Sequence, residues 1–530
     1  MTFNLAHLFE RVAAVVPDRL ALHTPARRLT YRQLDDRANQ LAHHLRSAGV
    51  AAGDHIGLQL QNGTEYIEVM LAAFKLSAVP INVNYRYVAR ELEYLYDNAD
   101  LKAVVFHRQF GSAVDLAAAS AGTVNHLLAV EDGSGDELPE GAADYEQSVA
   151  REPTAGAWSG RSGDDLYIAY TGGTTGMPKG VVWRHEDLFF AALGGGDPLL
   201  DKGPIDDPDQ IGERVQANPM VQLYTPPLMH VSAHWGVFNG LFGGSSVVLA
   251  SPGRFDPSEI WDLVEHQRAN LIVVVGDAMM RPLLDHYVAH ADSIDASSLF
   301  VLSSGGALLS PATKRQITEL FPTSIVLDVF GSTETGTAGT RTGSEAETFS
   351  VDGTTTVLDD DGRPVDAGSE VVGRLARRGH VPLRYYKDEA KTSASFAEFG
   401  GSRWVMPGDR ATVDADGTIR LLGRGSGCIN TGGEKVFPEE VEAVLKAHPD
   451  VFDAVVVGLP DERLGATVTA VVQTRSGAPI SLIELQAHAR AALAGYKIPR
   501  VVLHVEEVRR GPNGKPDYAW AQGVAAAGVR

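Results

Sequence analysis

"YTGGTTGMPKGVVW", residues 170–183, follows directly on the apolar run "LYIA" at 166–169. It sets Gly172, Gly173 and Gly176 among Thr171, Thr174 and Thr175, and closes on Pro178, Lys179 and Gly180. Glycine lets backbone N–H groups approach an anion, threonine hydroxyls add donors, and the lysine adds charge. This is the make-up of a polyphosphate cradle at the end of a strand. A Walker loop ends in Gly-Lys-Ser/Thr. Here proline precedes the lysine and glycine follows it, which argues against a P-loop kinase or ATPase.

Outward from the loop, short apolar runs alternate with helical patterns from about residue 100 to 330. "AVVF" at 103, "LYIAY" at 166, "SVVLA" at 246, "LIVVV" at 271, "LFVLS" at 299 and "SIVLDV" at 324 read as strands, and "PSEIWDLVEHQ" from Pro257 as a helix between two of them. That alternation predicts an α/β protein with helix-covered, mainly parallel sheets. After residue 350 the texture changes. "VLDDDGRPV" and "TVDADGTIRLL" read as strand, Asp-Gly turn, strand, which predicts a β-rich subdomain. From Ser426 a small α+β domain is expected, with "PEEVEAVLKAH" as a helix and "DAVVVGL", "ATVTAVVQT" and "VVLHVEEV" as strands. The expected division is 1–425 and 426–530. "EDGSGDELPEGAAD" from Glu131 and "GGGDPLLDKGPIDDPDQ" from Gly194 read as surface loops.

A chain of 530 residues exceeds one hydrophobic core, so several domains are expected. The net charge of -21 argues against nonspecific nucleic-acid binding. No run of about 18 apolar residues predicts a membrane span. Near the N-terminus Leu5, Leu8, Phe9, Val12 and Val16 fall at helical spacing, predicting an amphipathic surface helix rather than a signal peptide. Cys428 is the only cysteine, so internal disulfides and multi-cysteine zinc sites are excluded, and a cytoplasmic enzyme fits. His230 and His234 stand four apart, but Val231 occupies the place of the catalytic glutamate in a zinc-protease helix.

The loop does not stand alone. "PPLMHVSAHW", "SSGGALLS", "DVFGSTETG", "WVMPGDRATVDADGTIRLLGR", "GRGSGCINTGGEKVFPEEVE" and "GPNGKPD" follow it in order over nearly the full length. As a set with "TGGTTGMPKG", they resemble the adenylate-forming enzymes: acyl-CoA synthetases, peptide-synthetase adenylation domains and beetle luciferases. "GGTTGMPKGVVWRHED", "GDAMMRPL" and "AGYKIPR" resemble most the actinobacterial acyl-CoA synthetases linked to steroid side-chain degradation.

The resemblance implies an ATP-dependent acid:CoA ligase with ATP, Mg and coenzyme A as cofactors and a small-molecule carboxylic acid as partner. The acid would be a steroid side-chain carboxylate or a fatty acid. Nothing in the sequence excludes a homo-oligomer. The loop from Thr171 to Lys179 would hold the β- and γ-phosphates, and Glu334 would bind magnesium. Gly305, Gly306 and Ala307 would leave room for adenine, Phe330 would offer it an aromatic face, and Asp328 would accept from its amino group. Gly331, Ser332 and Thr333 would complete the nucleotide site, with Asp409 on the ribose and Arg424 on ribose or phosphate. Lys515 would bridge carboxylate and α-phosphate, and His230 would stand beside the carboxylate and thiol path. Val231, Trp235 and Gly276 would line the acyl pocket. Relatives that activate amino acids usually carry aspartate at the position of Val231, so an acid without an α-amino group is expected. The C-terminal domain would rotate about Ser426, where the family usually has Asp or Lys, and bring Gly432 and Gly433 to the pantetheine arm. Two other readings remain open: adenylation with another acceptor, such as a carrier protein or oxygen, and a nucleotide-binding scaffold without turnover.

Overall fold

The computed structural model describes residues 2–173, 176–197, 202–343, 348–424, 427–431, 434–461, 465–493, 495–511 and 514–528. Two eight-stranded sheets dominate it. The first runs, edge to edge, through Gly336–Thr342, Ile325–Ser332, Val301–Gly305, Leu271–Val274, Val221–Tyr224, Ser246–Leu249, Leu20–His23 and Arg28–Thr30. The second runs through Arg384–Tyr385, Gly176–Arg184, Leu166–Gly173, Val79–Asn82, His55–Gln59, Leu101–His107, His126–Val130 and Ala143–Asp144. Interior neighbours in both are parallel, and antiparallel pairs occur only toward the edges. The α/β expectation therefore holds. The alternation begins earlier than the apolar runs suggested, because "HIGLQ" at His55–Gln59 and "VPIN" at Val79–Asn82 are strands whose polar or proline residues mask the pattern.

The two sheets share one core. Leu22, Val247 and Leu249 of the first and Leu58, Val105, Tyr167 and Val181 of the second belong to a single buried cluster. Helix Leu5–Val15 lies in it. Asn4 caps the helix by accepting from the Ala6 and His7 amides, and Leu5, Leu8, Phe9 and Val12 are buried. The predicted amphipathic helix is thus present, but its apolar face is sealed between helices. The loop from Gly194 also departs from expectation: Ile205 and Ile211 are buried and anchor it.

An antiparallel sheet of six strands between Thr355 and Arg424 forms the β-rich subdomain. Residues from Ile429 onward build their own five-stranded sheet with their own apolar clusters. The proposed boundary residue, Ser426, lies outside the described residues. No described helix is long and apolar enough to cross a membrane.

The parallel strands fix where a ligand can sit. In open α/β sheets the carboxyl ends of the strands carry the binding loops. Here the strands ending at Gly173, Val274, Gly305 and Ser332 deliver the segments singled out above.

Candidate active site

Asn82, buried at the end of its strand, is the joint between two of these segments. Its Oδ1 accepts from the Tyr170 amide at 2.7 Å, and its Nδ2 donates to the carbonyls of Tyr170 and Met229, both at 2.8 Å. The entry to the glycine-threonine loop is thereby bolted to the "PPLMH" turn. Asn62 holds the same turn by accepting from the Leu228 amide at 2.8 Å.

The turn leads into helix Val231–Phe242, with His230 at its N-cap. His234 is 1% exposed. Its Nδ1 lies 2.7 Å from the Leu228 carbonyl and its Nε2 2.5 Å from the Tyr167 hydroxyl. A carbonyl only accepts, so Nδ1 carries the proton and Nε2 accepts from Tyr167. Trp235 Nε1 donates to the same hydroxyl oxygen at 3.2 Å. Burial lowers the His234 pKa to about 4, so the ring is neutral. Both ring nitrogens serve the fold, not a metal. Trp235, expected in the acyl pocket, packs against Trp183 and Tyr167 and is 7% exposed.

Gly276 and the 304–307 turn interlock. The Gly276 amide donates to Ser304 Oγ at 2.8 Å, and that hydroxyl donates to the Ala307 carbonyl at 2.6 Å. Gly276 has φ +60°, and a Cβ there would sit 2.9 Å from that of Ala307, so the position demands glycine. A Cβ on Gly306 would face Ser232 Oγ at 3.5 Å. Gly276 and Ala307 thus meet, and Gly306 lies near Ser232, which follows His230 and Val231 in the chain.

Phe330 is half-buried, 5.5 Å from Phe349 between ring centroids, and packs on Val357, Leu375, Ala411 and Ile419. Asp328, expected to accept from the adenine amino group, has protein partners. Its carboxylate is 1% exposed and already committed: Arg341 Nε donates to it at 2.7 Å and the Leu309 amide at 3.2 Å, with Lys314 Nζ 3.9 Å away. It ties its strand to Arg341 of the neighbouring strand and to the 309 turn, so these protein groups already engage both of its oxygens.

Glu334 stands on a turn built by hydroxyls. Ser332 Oγ accepts from the amides of Glu334 and Thr335 at 3.3 and 3.2 Å, and the Trp183 indole donates to the Thr333 carbonyl at 2.9 Å. The Tyr385 hydroxyl donates to Glu334 Oε1 at 2.7 Å. Three residues on, Asp388 accepts from Lys179 Nζ at 2.8 Å. That hydrogen bond, followed by one from the Lys391 amide, lowers the Asp388 pKa. One short segment therefore holds both the carboxylate expected to bind metal and the lysine expected to bind phosphate. It is itself stitched to the strand after the loop, Arg384 pairing Val182 and Tyr385 pairing Val181. A half-buried carboxylate among hydroxyls is a hard-oxygen donor set, which fits magnesium.

Asp409 and Arg424 are directly paired across neighbouring strands. The Arg424 side chain lies outside the described residues, as do Thr174, Thr175, Ser426, Gly432 and Gly433.

Lys515 is exposed on a closed turn in which the Gly511 amide donates to the Lys515 carbonyl at 2.8 Å. The preceding Gly514 has φ +69°, and a Cβ there would fall 2.7 Å from Val275 Cγ1. The lysine-bearing turn therefore packs beside Gly276 in the first lobe.

Asn82, Tyr385 and Asp388 were not singled out from sequence. The available signal for Asn82 was a polar residue closing an apolar run, "AVPIN". For the other two it was only "YYKDE", which reads as an ordinary polar surface segment.

Comparison with known proteins accords with this arrangement. Residues 9–386 match the family model described as AMP-binding enzyme, and residues 440–515 the model described as AMP-binding enzyme C-terminal domain. The chain is 45% identical over 534 residues to a 3-oxocholest-4-en-26-oate–CoA ligase of Rhodococcus rhodochrous, covering 98% of this chain and 96% of that one. It is 44% identical over 535 residues to a medium/long-chain-fatty-acid–CoA/3-oxocholest-4-en-26-oate–CoA ligase of Mycolicibacterium smegmatis, covering 99% and 97%. In fold it superposes with a TM-score of 0.85 on the anthranilate CoA ligase AuaEII in complex with anthranoyl-AMP, at 23% identity and with 99% and 98% of the two chains covered. Two family models matched in order, and relatives aligned from end to end, establish that the chain belongs to the AMP-binding enzyme family.

Proposed function

We propose that the protein is an ATP-dependent acid:CoA ligase acting on a large apolar acid, either a steroid side-chain carboxylate or a medium- to long-chain fatty acid. A carboxylate oxygen attacks the α-phosphorus of ATP, and the bond to pyrophosphate breaks. The CoA sulfur then attacks the acyl carbon, its proton passes to solvent, and the bond to AMP breaks. The first step brings three anionic groups together, so fixed donors and cations must offset their repulsion.

The Thr171–Lys179 loop would receive the β- and γ-phosphates, Lys179 leaving Asp388 to do so. Asp409 would accept from the ribose hydroxyls. Phe330 and the Gly305–Ala307 turn would sandwich adenine, whose amino group would find main-chain carbonyls rather than Asp328. Glu334, oriented by Tyr385, would hold magnesium, which when bound offsets phosphate charge. Lys515 would place its ammonium between carboxylate and α-phosphate, a role suited to a compact charge on a flexible stem. His230 and Val231 would flank the acyl carboxyl, with Val231 offering no partner for an α-amino group. The lobe beyond Ser426 would then rotate, withdrawing Lys515 and admitting CoA past Gly432 and Gly433.

The observation that carries this reading is the seat of Gly514 on Val275, beside Gly276 and the nucleotide turn. The substrate class rests on the relatives named above. The test is AMP release with ATP, magnesium, CoA and a panel of medium- and long-chain fatty acids, 3-oxocholest-4-en-26-oate, an aryl acid and amino acids. Release that requires both CoA and an apolar acid is expected. Release driven by amino acids, or without need of CoA, would overturn it.

A further inference from the structure

Helix Gly276–His290 begins at the glycine that abuts Ala307 and carries Arg281 little more than one turn later. Arg281 is 2% exposed, although it sits where the two lobes meet. A guanidinium that deeply buried needs its donors filled, and the second lobe fills most of them. Nη2 donates to the Lys446 carbonyl at 2.8 Å, and Nη1 to the carbonyls of Val451 and Phe452 at 3.0 and 2.5 Å. Lys446 is the last residue of helix Pro438–Lys446, whose final carbonyls lack helical partners and carry the negative end of its dipole. Val451 and Phe452 open strand Val451–Asp461. The remaining contacts are in the first lobe: Thr313 Oγ1 at 3.2 Å, Ser310 Oγ at 3.4 Å and Asp277 Oδ2 at 3.5 Å.

The strand that Arg281 grips leads straight to the lysine. Next after Phe452 is Asp453, whose two oxygens accept from Arg510 Nε and Nη2, each at 2.6 Å. The third nitrogen of that guanidinium, Nη1, donates to the Gly514 carbonyl at 2.9 Å. Gly514 precedes Lys515 and rests on Val275. An unbroken chain thus runs from Arg281 through residues 451–453 and Arg510 to the turn that presents Lys515, and it returns to the first lobe at Val275, six residues before Arg281.

We propose that Arg281 is the positioning residue that docks the second lobe in the pose presenting Lys515, and that it therefore serves the adenylation half-reaction and not thiol attack. This rests on the ligase reading above. When the lobe leaves, the carbonyls of Lys446, Val451 and Phe452 pass to water, while Arg281 keeps Thr313, Ser310 and Asp277. The dock can therefore open without stranding a charge.

The test compares half-reactions in Arg281→Ala and Arg281→Lys. Acid-dependent ATP–pyrophosphate exchange should fall about ten- to a hundredfold in Arg281→Ala, the scale of losing several charge-assisted hydrogen bonds. Arg281→Lys should lie between it and the wild type. Thiolysis of pre-made acyl-AMP by CoA should stay within about twofold of wild type in both, because no contact of that step is removed. Solution scattering should report a more open lobe distribution in Arg281→Ala. Should that variant fail to fold, Arg281→Lys and Asp453→Asn carry the same comparison. Unchanged exchange, or equal loss of both half-reactions in a folded variant, would overturn the proposal. A wild type that exchanges pyrophosphate with no acid would instead overturn the ligase reading.

Discussion

Lys179, proposed to bind phosphate, is paired with Asp388. The pair is half-exposed, its side chains retaining 42% and 28% of their accessibility, so its strength is modest and solvent-screened. On the proposed function, a triphosphate would have to displace the carboxylate to use the lysine. Asp388→Asn keeps an oxygen to cap the Lys391 amide but removes the competing charge. The variant is expected to bind ATP and pyrophosphate about two- to fivefold more tightly, the range of an exposed ion pair. AMP affinity should not change, and the gain should vanish in a Lys179→Ala background. Titration calorimetry without acid substrate measures all three, and weaker ATP binding in Asp388→Asn would contradict this reading. Lys179 was singled out because its neighbours in sequence form a recognisable loop. Its counter-ion was not, because the 2.8 Å contact joins residues 209 positions apart. Asp328 has a partner the sequence likewise did not announce: its strand register sets the carboxylate against Arg341.

At the scale of elements, the turn at 226–230 is held by the first half of the helix it precedes. His234 grips the Leu228 carbonyl from inside that helix and accepts a hydrogen bond from the Tyr167 hydroxyl of the neighbouring sheet. Protonation of Nε2 would break the second bond. The folded pKa of about 4 lies below the ordinary value of 6.5, so the unfolded chain binds the proton more readily between those values. The contribution is complete above pH 6.5 and declines as pH falls toward 4, by about 3 kcal/mol in all. Thermal unfolding followed from pH 7.5 to 4.5 should show a steeper acid decline in wild type than in His234→Gln, and equal slopes would refute the assignment. Strands rich in Val, Ile and Leu were readable because burial on both faces leaves an apolar run. Gln59, by contrast, is fully buried yet polar, since it accepts from the Tyr96 hydroxyl at 2.6 Å. A buried glutamine whose oxygen is paired with a distant hydroxyl erases the run that would have announced its strand.

Over the whole molecule, the order of motifs along the chain suggested a two-lobe plan, and residues from Ile429 onward do own a sheet and a core. The contacts between the lobes were not legible. Arg281 lies in "AMMRPL", whose arginine reads as solvated, and its acceptors are main-chain carbonyls, which leave no trace in a sequence. The central claim is that the second lobe lends Lys515 to make the acyl-adenylate and that the lysine has no part in thiol attack. Its seat beside Val275 and the chain through Arg510 and Asp453 are the physical grounds. The decisive measurement sets ATP–pyrophosphate exchange beside thiolysis of pre-made acyl-AMP in Lys515→Ala. Exchange should fall about a hundredfold or more, the scale of losing one transition-state donor, while thiolysis proceeds at near the wild-type rate. Equal loss of both half-reactions, or exchange that survives without the lysine, would contradict the account.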